Sequence, residues 1–217
     1  MKKALIFGSS GLVGSNLVKI ILQNEKYDHI KLFVRSETEN KSKKLEIIKT
    51  DFNNLEKHKD SIVGDDCFFC IGTTRKNTPD KNEYIRTEYN IPVEIGKIAK
   101  SNSVNNFIYV SSLGANPNSS GLYLKNKGQA EQELINLNFP RLAIIRPSIL
   151  LGNRKENRIG EKIGIFVMKL LSPLFLGKLK KYKPIKVENV VKAIVDISKN
   201  NYKKIIFESD QLQKLSS

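Results

Sequence analysis

The chain predicts an α/β fold, a doubly wound parallel sheet with a small C-terminal cap. Three observations carry this prediction: short apolar runs that alternate with amphipathic segments, a glycine-punctuated turn after the first run, and a change of rhythm after Pro147. With 217 residues, 40% hydrophobic and 27% charged, the chain suits one soluble globular unit with a proper core. The expected organisation is a single domain, with a core over 1–147 and a cap plus final strand over 148–217.

Residues 3–7 of the opening "KKALIFGSSGLVGSNLVKIILQ" are a short apolar run, as a buried parallel strand requires. Glycines follow at 8, 11 and 14, and then Leu12, Val13, Leu17, Ile20 and Ile21 recur at helical spacing. "HIKLFVR" gives a second strand, "LEIIKTD" a third and "DCFFCIG" a fourth, followed by a long amphipathic helix over roughly 83–101. "NNFIYVSS" is a fifth strand, about 122–137 a helix, and "RLAIIRP" a sixth strand. Strands apolar on both faces, alternating with helices, imply a parallel sheet covered on both sides. After Pro147 a polar loop with Gly152, Asn153, Arg154 and Arg158 leads into an apolar helix over 161–176. "VENVVKAIVDISKN" then reads as a helix and "KKIIFES" as a last strand. This tail is expected to cap the C-terminal edge of the sheet, where ligands bind in such folds.

The formal charge is +15, from 37 basic against 22 acidic residues. The lysines are spread along the chain, densest in "GKLKKYKPIK" at 177–186, and a solvated surface explains them without a nucleic-acid partner. The longest apolar stretch, 163–177, carries Lys169 and Pro173 and falls short of the ~20 residues that span a bilayer, so membrane insertion is not expected. "MKKALIFGSS" has too short an apolar run for a signal peptide, and a cytoplasmic protein is expected. Cys67 and Cys70 form a C-x-x-C within a strand, where residues three apart face opposite sides, which points to core packing rather than redox or zinc chemistry. His29 and His58 lie near no acid–serine constellation, and no metal site is expected.

Strand, glycine turn and helix in that order make a dinucleotide-binding turn of the Rossmann type. Gly8 permits the tight turn, Gly11 lets a pyrophosphate approach backbone N–H groups, and Gly14 lets the helix pack closely on the strand. The phosphate then meets the positive end of the helix dipole. At the end of the second strand, an NAD enzyme places an acid to hold the ribose 2′-hydroxyl. Here Arg35 and Ser36 stand at that point, which suits a 2′-phosphate and favours NADP(H) over NAD(H); Glu37 and Glu39 follow closely enough to turn an acid inward. Asp51, ending the third strand before Phe52, is placed near the adenine.

Three Tyr-x-x-x-Lys pairs occur in a chain with thirty lysines: Tyr27–Lys31, Tyr123–Lys127 and Tyr182–Lys186. Tyr27–Lys31 falls in the turn before the second strand, at the end of the sheet away from the ligand edge, and reads as surface. Tyr182–Lys186 contains Pro184, which prevents a regular helix from stacking the pair, and also reads as surface. Tyr123–Lys127 begins a helical segment, so the i, i+4 spacing stacks both side chains on one face. That segment follows the fifth strand, whose end carries Ser111 and Ser112 at the edge of the glycine turn. An ammonium beside a phenol stabilises the phenolate and brings it toward working pH.

"GSSGLVG", "VSSLG" and "YLKNK" together resemble the short-chain dehydrogenase/reductase superfamily, in its atypical branch. "CIGTTR" at 70–75, "SSLGAN…SSGLYLKNKGQAE" at 111–131 and "IIRPSILLGNRKENRIGE" at 144–161 resemble the HIV Tat-interacting-protein-like oxidoreductases most closely, over nearly the whole chain. The resemblance implies Tyr123 as catalytic acid/base, Lys127 as tuner of Tyr123 and binder of the nicotinamide ribose, and Ser112, with Ser111 as understudy, on the substrate carbonyl. It also implies Gly8, Ser10, Gly11, Leu12, Val13 and Gly14 along the cofactor, and Arg35 and Ser36 at the 2′-phosphate. Ile71 and Gly72 would pass near the adenosine side, and Leu150 and Arg158 near the nicotinamide or phosphates.

The function expected is NADPH-dependent reduction of a small-molecule carbonyl by an oxidoreductase of this type, with a homodimer allowed. One alternative is an NADPH-binding regulatory or scaffold protein with little catalysis, since fold alone never proves activity. A second is a nucleotide-sugar epimerase or dehydratase, which the short segment 148–217 argues against. The apolar segment Ile163 to Leu176 suggests a greasy substrate, whereas Arg75, Arg154 and Arg158 suit an anion.

Overall fold

The computed structural model describes residues 1–36, 42–152 and 177–216. β1 (Lys2–Phe7), β2 (Tyr27–Val34), β3 (Leu45–Lys49), β4 (Asp66–Phe69), β5 (Asn106–Val110), β6 (Arg141–Arg146), β7 (Leu150–Leu151), β8 (Ile185–Lys186) and β9 (Ile206–Glu208) are its strands. All but β7 and β8 join one parallel sheet in the order β3-β2-β1-β4-β5-β6-β9, and β7 pairs with β8 apart from it. The strand order reverses between β1 and β4, and a doubly wound sheet binds ligands at the C-terminal edge of that switch point.

Among the described residues the α-helices are α1 (Leu12–Leu22), α2 (Lys81–Ile85), α3 (Ile91–Ser101), α4 (Leu122–Asn136), α5 (Val187–Lys199) and α6 (Ser209–Leu215). The period-2 alternation of β1 explains why both faces of the sheet are covered. Ala4 and Ile6 point into one core with Leu17 and Ile21 of α1 and with Val190 and Ile194 of α5. Leu5 and Phe7 point into the other, with Ile95 and Ile98 of α3 and Ala130 and Leu134 of α4. Phe7 and Phe33 stack there at 4.2 Å between ring centres. Each fully buried aliphatic or aromatic side chain of these cores contributes about 1.5–3 kcal/mol.

The helix expected over 83–101 is interrupted. Asp80 caps its start, accepting from the N–H groups of Asn82 and Glu83 at 2.9 Å each. Between α2 and α3 the chain widens into a π-turn over Arg86–Asn90, where the Ile91 N–H reaches the Arg86 carbonyl five residues back. Pro92 supplies a reason: it has no N–H to offer the Glu88 carbonyl, and its ring would crowd that group in a regular α-turn. Part of the tail expected as a cap instead joins the body of the fold. Helix α5 packs against α1 in the core, and β9 extends the sheet beside β6. The apolar helix expected over 161–176, with Asn153 and Arg154, lies outside the described residues. Among the described residues, no helix is long and apolar enough to cross a membrane.

The surface reading of Tyr27 is corrected. Strand β2 begins at Tyr27, two residues earlier than the sequence suggests, so this side chain points into the core and is 1% exposed. Its Oη donates to Asp66 Oδ2 at 2.5 Å. Asp66, itself fully buried, also accepts from Lys2 Nζ at 3.0 Å and from Asn106 Nδ2 at 3.1 Å. Burial and the Asp66 charge together push the Tyr27 phenol far above its ordinary value. Tyr27 is a structural donor at the end of the sheet opposite the ligand edge.

Tyr27→Phe leaves the buried Asp66 carboxylate one donor short and is expected to destabilise the fold by about 1–3 kcal/mol in urea unfolding. A midpoint unchanged from the parent would show that this network contributes nothing.

Candidate active site

The glycine turn is built by contact distances as much as by backbone freedom. Gly8 has φ +86°, and a Cβ there would lie 2.7 Å from the backbone of Cys70 and Ile71 at the end of β4. A Cβ on Gly14 would lie 2.1 Å from the Gly8 carbonyl oxygen, so only glycine lets α1 start this close to the end of β1. The Gly11 N–H closes the turn on the Gly8 carbonyl at 3.1 Å. Val13 and Gly14 are buried, Leu12 is half-buried, and Ser10 and Gly11 are exposed. Among the described residues no side chain caps α1 and no acid stands in its first turn, so its N-terminal donors and dipole suit an anion. The turn therefore fits a pyrophosphate.

The ends of the neighbouring strands surround this turn. Arg35 and Ser36 are exposed where β2 ends; Glu37 and Glu39 lie outside the described residues. Asp51 is exposed after β3 and accepts from the Asn53 N–H at 2.8 Å, a bond that holds its carboxyl below the usual range. Phe52 beside it adopts a left-handed backbone, φ 62°, and its carbonyl accepts from Arg86 of the π-turn. Ile71 and Gly72 leave β4 next to Gly8, with Ile71 half-buried and Gly72 exposed. Leu150 in β7 is half-buried and packs toward the α1 side of the core, and a Cβ on Gly152 would lie 3.0 Å from Leu12. Arg158 lies outside the described residues. Cys67 and Cys70 join opposite cores, and burial pushes the Cys70 thiol up to about 12 and Cys67 well above its ordinary value.

Helix α4 starts at Leu122 and presents Tyr123 and Lys127 one turn apart, as their spacing predicts. Their environments differ sharply. Tyr123 is 38% exposed, whereas Lys127 is 2% exposed. Lys127 Nζ lies 3.0 Å from Glu88 Oε2, donates to the Val110 carbonyl at 3.3 Å and sits 4.9 Å from the ring centre of Tyr109. It is also 4.0 Å from the point where a Gly72 Cβ would stand, which sets it against the β4 exit loop. Burial, the largest single influence, disfavours the ammonium, but the neighbouring groups together, the Glu88 carboxylate foremost, outweigh it. Lys127 is thereby held well above the ordinary lysine range.

The two serines at the end of β5 divide cleanly. Ser111 is buried and donates to Glu131, which is clamped in turn by Arg146 Nε at 2.9 Å and by a second guanidinium nitrogen. Ser112 is half-buried and, among the described residues, its hydroxyl makes only a weak 3.4 Å contact with the Leu113 carbonyl. Ser111 is thus held by Glu131, whereas the described residues leave the Ser112 hydroxyl largely unengaged.

Four residues escaped the sequence reading: Glu88, Thr73, Tyr84 and Arg86. Glu88 is fully buried, and besides Lys127 it accepts from the Thr73 N–H at 2.6 Å. The Tyr84 ring is buried beneath Arg75, whose guanidinium stands 5.2 Å from its centre. The available signal was Pro92, four residues after Glu88 in a helical pattern. A cavity of about 380 Å³ between Phe139, Arg141, Asn200 and Tyr202 lies where β5 and β6 begin, at the opposite end of the sheet from Tyr123.

Comparison with known proteins agrees with this geometry. Residues 8–166 match the family described as NAD(P)H-binding. The chain is 36% identical over 157 residues to the protein FMP52, mitochondrial, of Debaryomyces hansenii, covering 71% of this chain and 70% of that one. It is 32% identical over 166 residues to the protein HTATIP2 of Rattus norvegicus, covering 74% and 67% respectively. The solved UDP-glucose 4-epimerase of Thermotoga maritima shares the fold, with a TM-score of 0.71, 15% identity, and coverage of 99% of this chain and 81% of that one. FMP52 proteins of several yeasts carry "mitochondrial" in their names, which overturns the expectation of a cytoplasmic protein.

Gly14→Ala puts a methyl group against the Gly8 carbonyl and must lift α1 off the strand. NADPH affinity, read by nucleotide fluorescence, is expected to fall at least about tenfold, or ~1.4 kcal/mol, while the circular dichroism spectrum is retained. Unchanged affinity would remove the turn from the cofactor site.

Proposed function

The chain belongs to the NAD(P)H-binding family, in the atypical short-chain dehydrogenase/reductase group with the HTATIP2 and FMP52 proteins, and from that premise we propose that it is an NADPH-dependent oxidoreductase that reduces a carbonyl compound. The observation that carries this reading is the pair on α4, an exposed Tyr123 phenol one helical turn from a buried and charged Lys127. Both stand at the sheet edge that holds the glycine turn.

A nicotinamide bound at this edge supplies the hydride. The chain's own groups do the rest. Ser10 and Gly11 offer the exposed face of the turn to the pyrophosphate, backed by the α1 dipole. Arg35 and Ser36 meet a 2′-phosphate where an NAD enzyme would place an acid, which favours NADPH. Tyr123 Oη donates its proton to the carbonyl oxygen as negative charge develops there. The Lys127 ammonium stabilises the resulting phenolate through space, which lowers the cost of that transfer. Ser112 Oγ donates a hydrogen bond to the same oxygen, giving up little more than its 3.4 Å contact with Leu113. Ser111 holds the strand end in place through Glu131.

Tyr123→Phe removes the proton donor and leaves the fold and the turn intact. Turnover of a carbonyl panel with NADPH is expected to fall by about 10²–10⁴-fold with NADPH affinity unchanged, and undiminished turnover would exclude the role. Arg35→Ala is expected to weaken NADPH binding about tenfold or more and to leave NADH binding as it was, since one charge-assisted contact of roughly 1.5–3 kcal/mol is lost. Equal, weak binding of both cofactors by the parent protein would contradict the preference.

A further inference from the structure

We infer that Glu88 is the positioning residue of the Tyr123–Lys127 pair: its carboxylate keeps the buried Lys127 side chain ionised and fixed beside Gly72. This inference rests on the carbonyl-reductase reading for its catalytic consequence and on geometry alone for its physical one.

Lys127 Nζ is enclosed by Glu88 Oε2 at 3.0 Å, the Val110 carbonyl at 3.3 Å and the face of Tyr109. Side-chain exposure is 3% for Lys127 and 0% for Glu88, so water screens neither charge. An ammonium so enclosed gives up its proton unless a full negative charge stands against it. Among the described residues, the other titratable groups that face it cannot supply that charge. Tyr84 from α2, Tyr109 from β5 and Cys70 from the β4 exit are held protonated by burial. Glu131, further along α4, is engaged by Arg146 and Ser111. Arg75, over Tyr84, adds positive charge. Tyr123, on the same helix face as Lys127, is the group whose proton the pair exists to move. Glu88 is therefore the counter-charge.

The carboxylate is itself fixed from a second direction. Glu88 Oε1 accepts from the Thr73 N–H at 2.6 Å, which ties it to the loop carrying Ile71 and Gly72. Gly72, with no side chain, leaves the Lys127 and Glu88 head groups 4.0 and 3.7 Å from its missing Cβ. The π-turn over Arg86–Asn90 carries Glu88 at this place in the helix. One carboxylate thus links the loop on the cofactor side to the ammonium on the catalytic side.

The test compares Glu88→Gln, Glu88→Asp and the double variant Glu88→Gln/Lys127→Met with the parent. The first readout is thermal unfolding of the cofactor-free protein from pH 6 to 10. In Glu88→Gln the folded-state pKa of Lys127 drops below its unfolded value near 10.4, so between the two the folded state binds fewer protons and stability rises with pH. The Tm deficit of Glu88→Gln against the parent is expected to shrink steadily from pH 6 to 10 and to lose its pH dependence in the double variant. If Glu88→Gln does not fold, recovery of folding in the double variant supports the inference, and failure of both overturns it. A deficit that is the same at every pH, or that persists unchanged in the double variant, also overturns it. The second readout is NADPH-dependent turnover, where Glu88→Gln is expected to gain an alkaline limb falling about tenfold per pH unit, while Glu88→Asp keeps the parent profile. A parent protein that reduces no carbonyl while the unfolding result holds fails the reductase reading alone.

Discussion

The buried ion pair between Glu88 and Lys127 joins three parts of the chain that the sheet alone would not lock together. Glu88 comes from the widened turn between α2 and α3, Lys127 from α4, and the Thr73 N–H that also holds Glu88 from the loop after β4. Both charges are removed from water, and replacing either partner alone would strand the other at a cost of several kcal/mol. The pair therefore ties α4, and with it the position of Tyr123, to the turn between α2 and α3 and to the loop after β4. It also explains how a lysine can be almost fully buried at the edge where ligands bind and still carry charge.

Much of the fold was legible because one physical rule governs it. Apolar residues at both parities of β1 imply cover on both faces, and the two cores divide as that parity requires, with Ala4 and Ile6 in one and Leu5 and Phe7 in the other. The glycine turn was legible for the same kind of reason: spacing specified where a Cβ could not be tolerated, and the distances at Gly8 and Gly14 bear that out. Tyr27 was misread because a strand boundary is set by hydrogen bonds to distant residues; here Asp66, thirty-nine positions away, draws the phenol inward. The helix and final strand after Pro147 were legible too, but an amphipathic helix does not reveal which surface it will cover. Helix α5 covers the α1 side of the sheet rather than its edge.

The candidate site divides along the same line. Local pattern gave Tyr123 and Lys127, since i, i+4 spacing at a helix start is a property of sequence. Glu88 was invisible because its role depends on a non-local contact and on a helix irregularity. A glutamate in an amphipathic helix reads as solvated, and only Pro92 hinted that the helix would widen there. The preference for Ser112 over Ser111 gains a physical reason only in the structure, where Glu131, clamped by Arg146, accepts from the Ser111 hydroxyl.

The proposed reaction is hydride transfer from a nicotinamide to a carbonyl carbon at the Tyr123 edge of this sheet. The most direct measurement offers the protein NADPH deuterated at both C4 positions with a panel of aldehydes and ketones and reads the alcohol by mass spectrometry. Deuterium on the former carbonyl carbon is expected with the parent protein. Alcohol formed without the label, or no alcohol from any carbonyl while NADPH is bound, would contradict it.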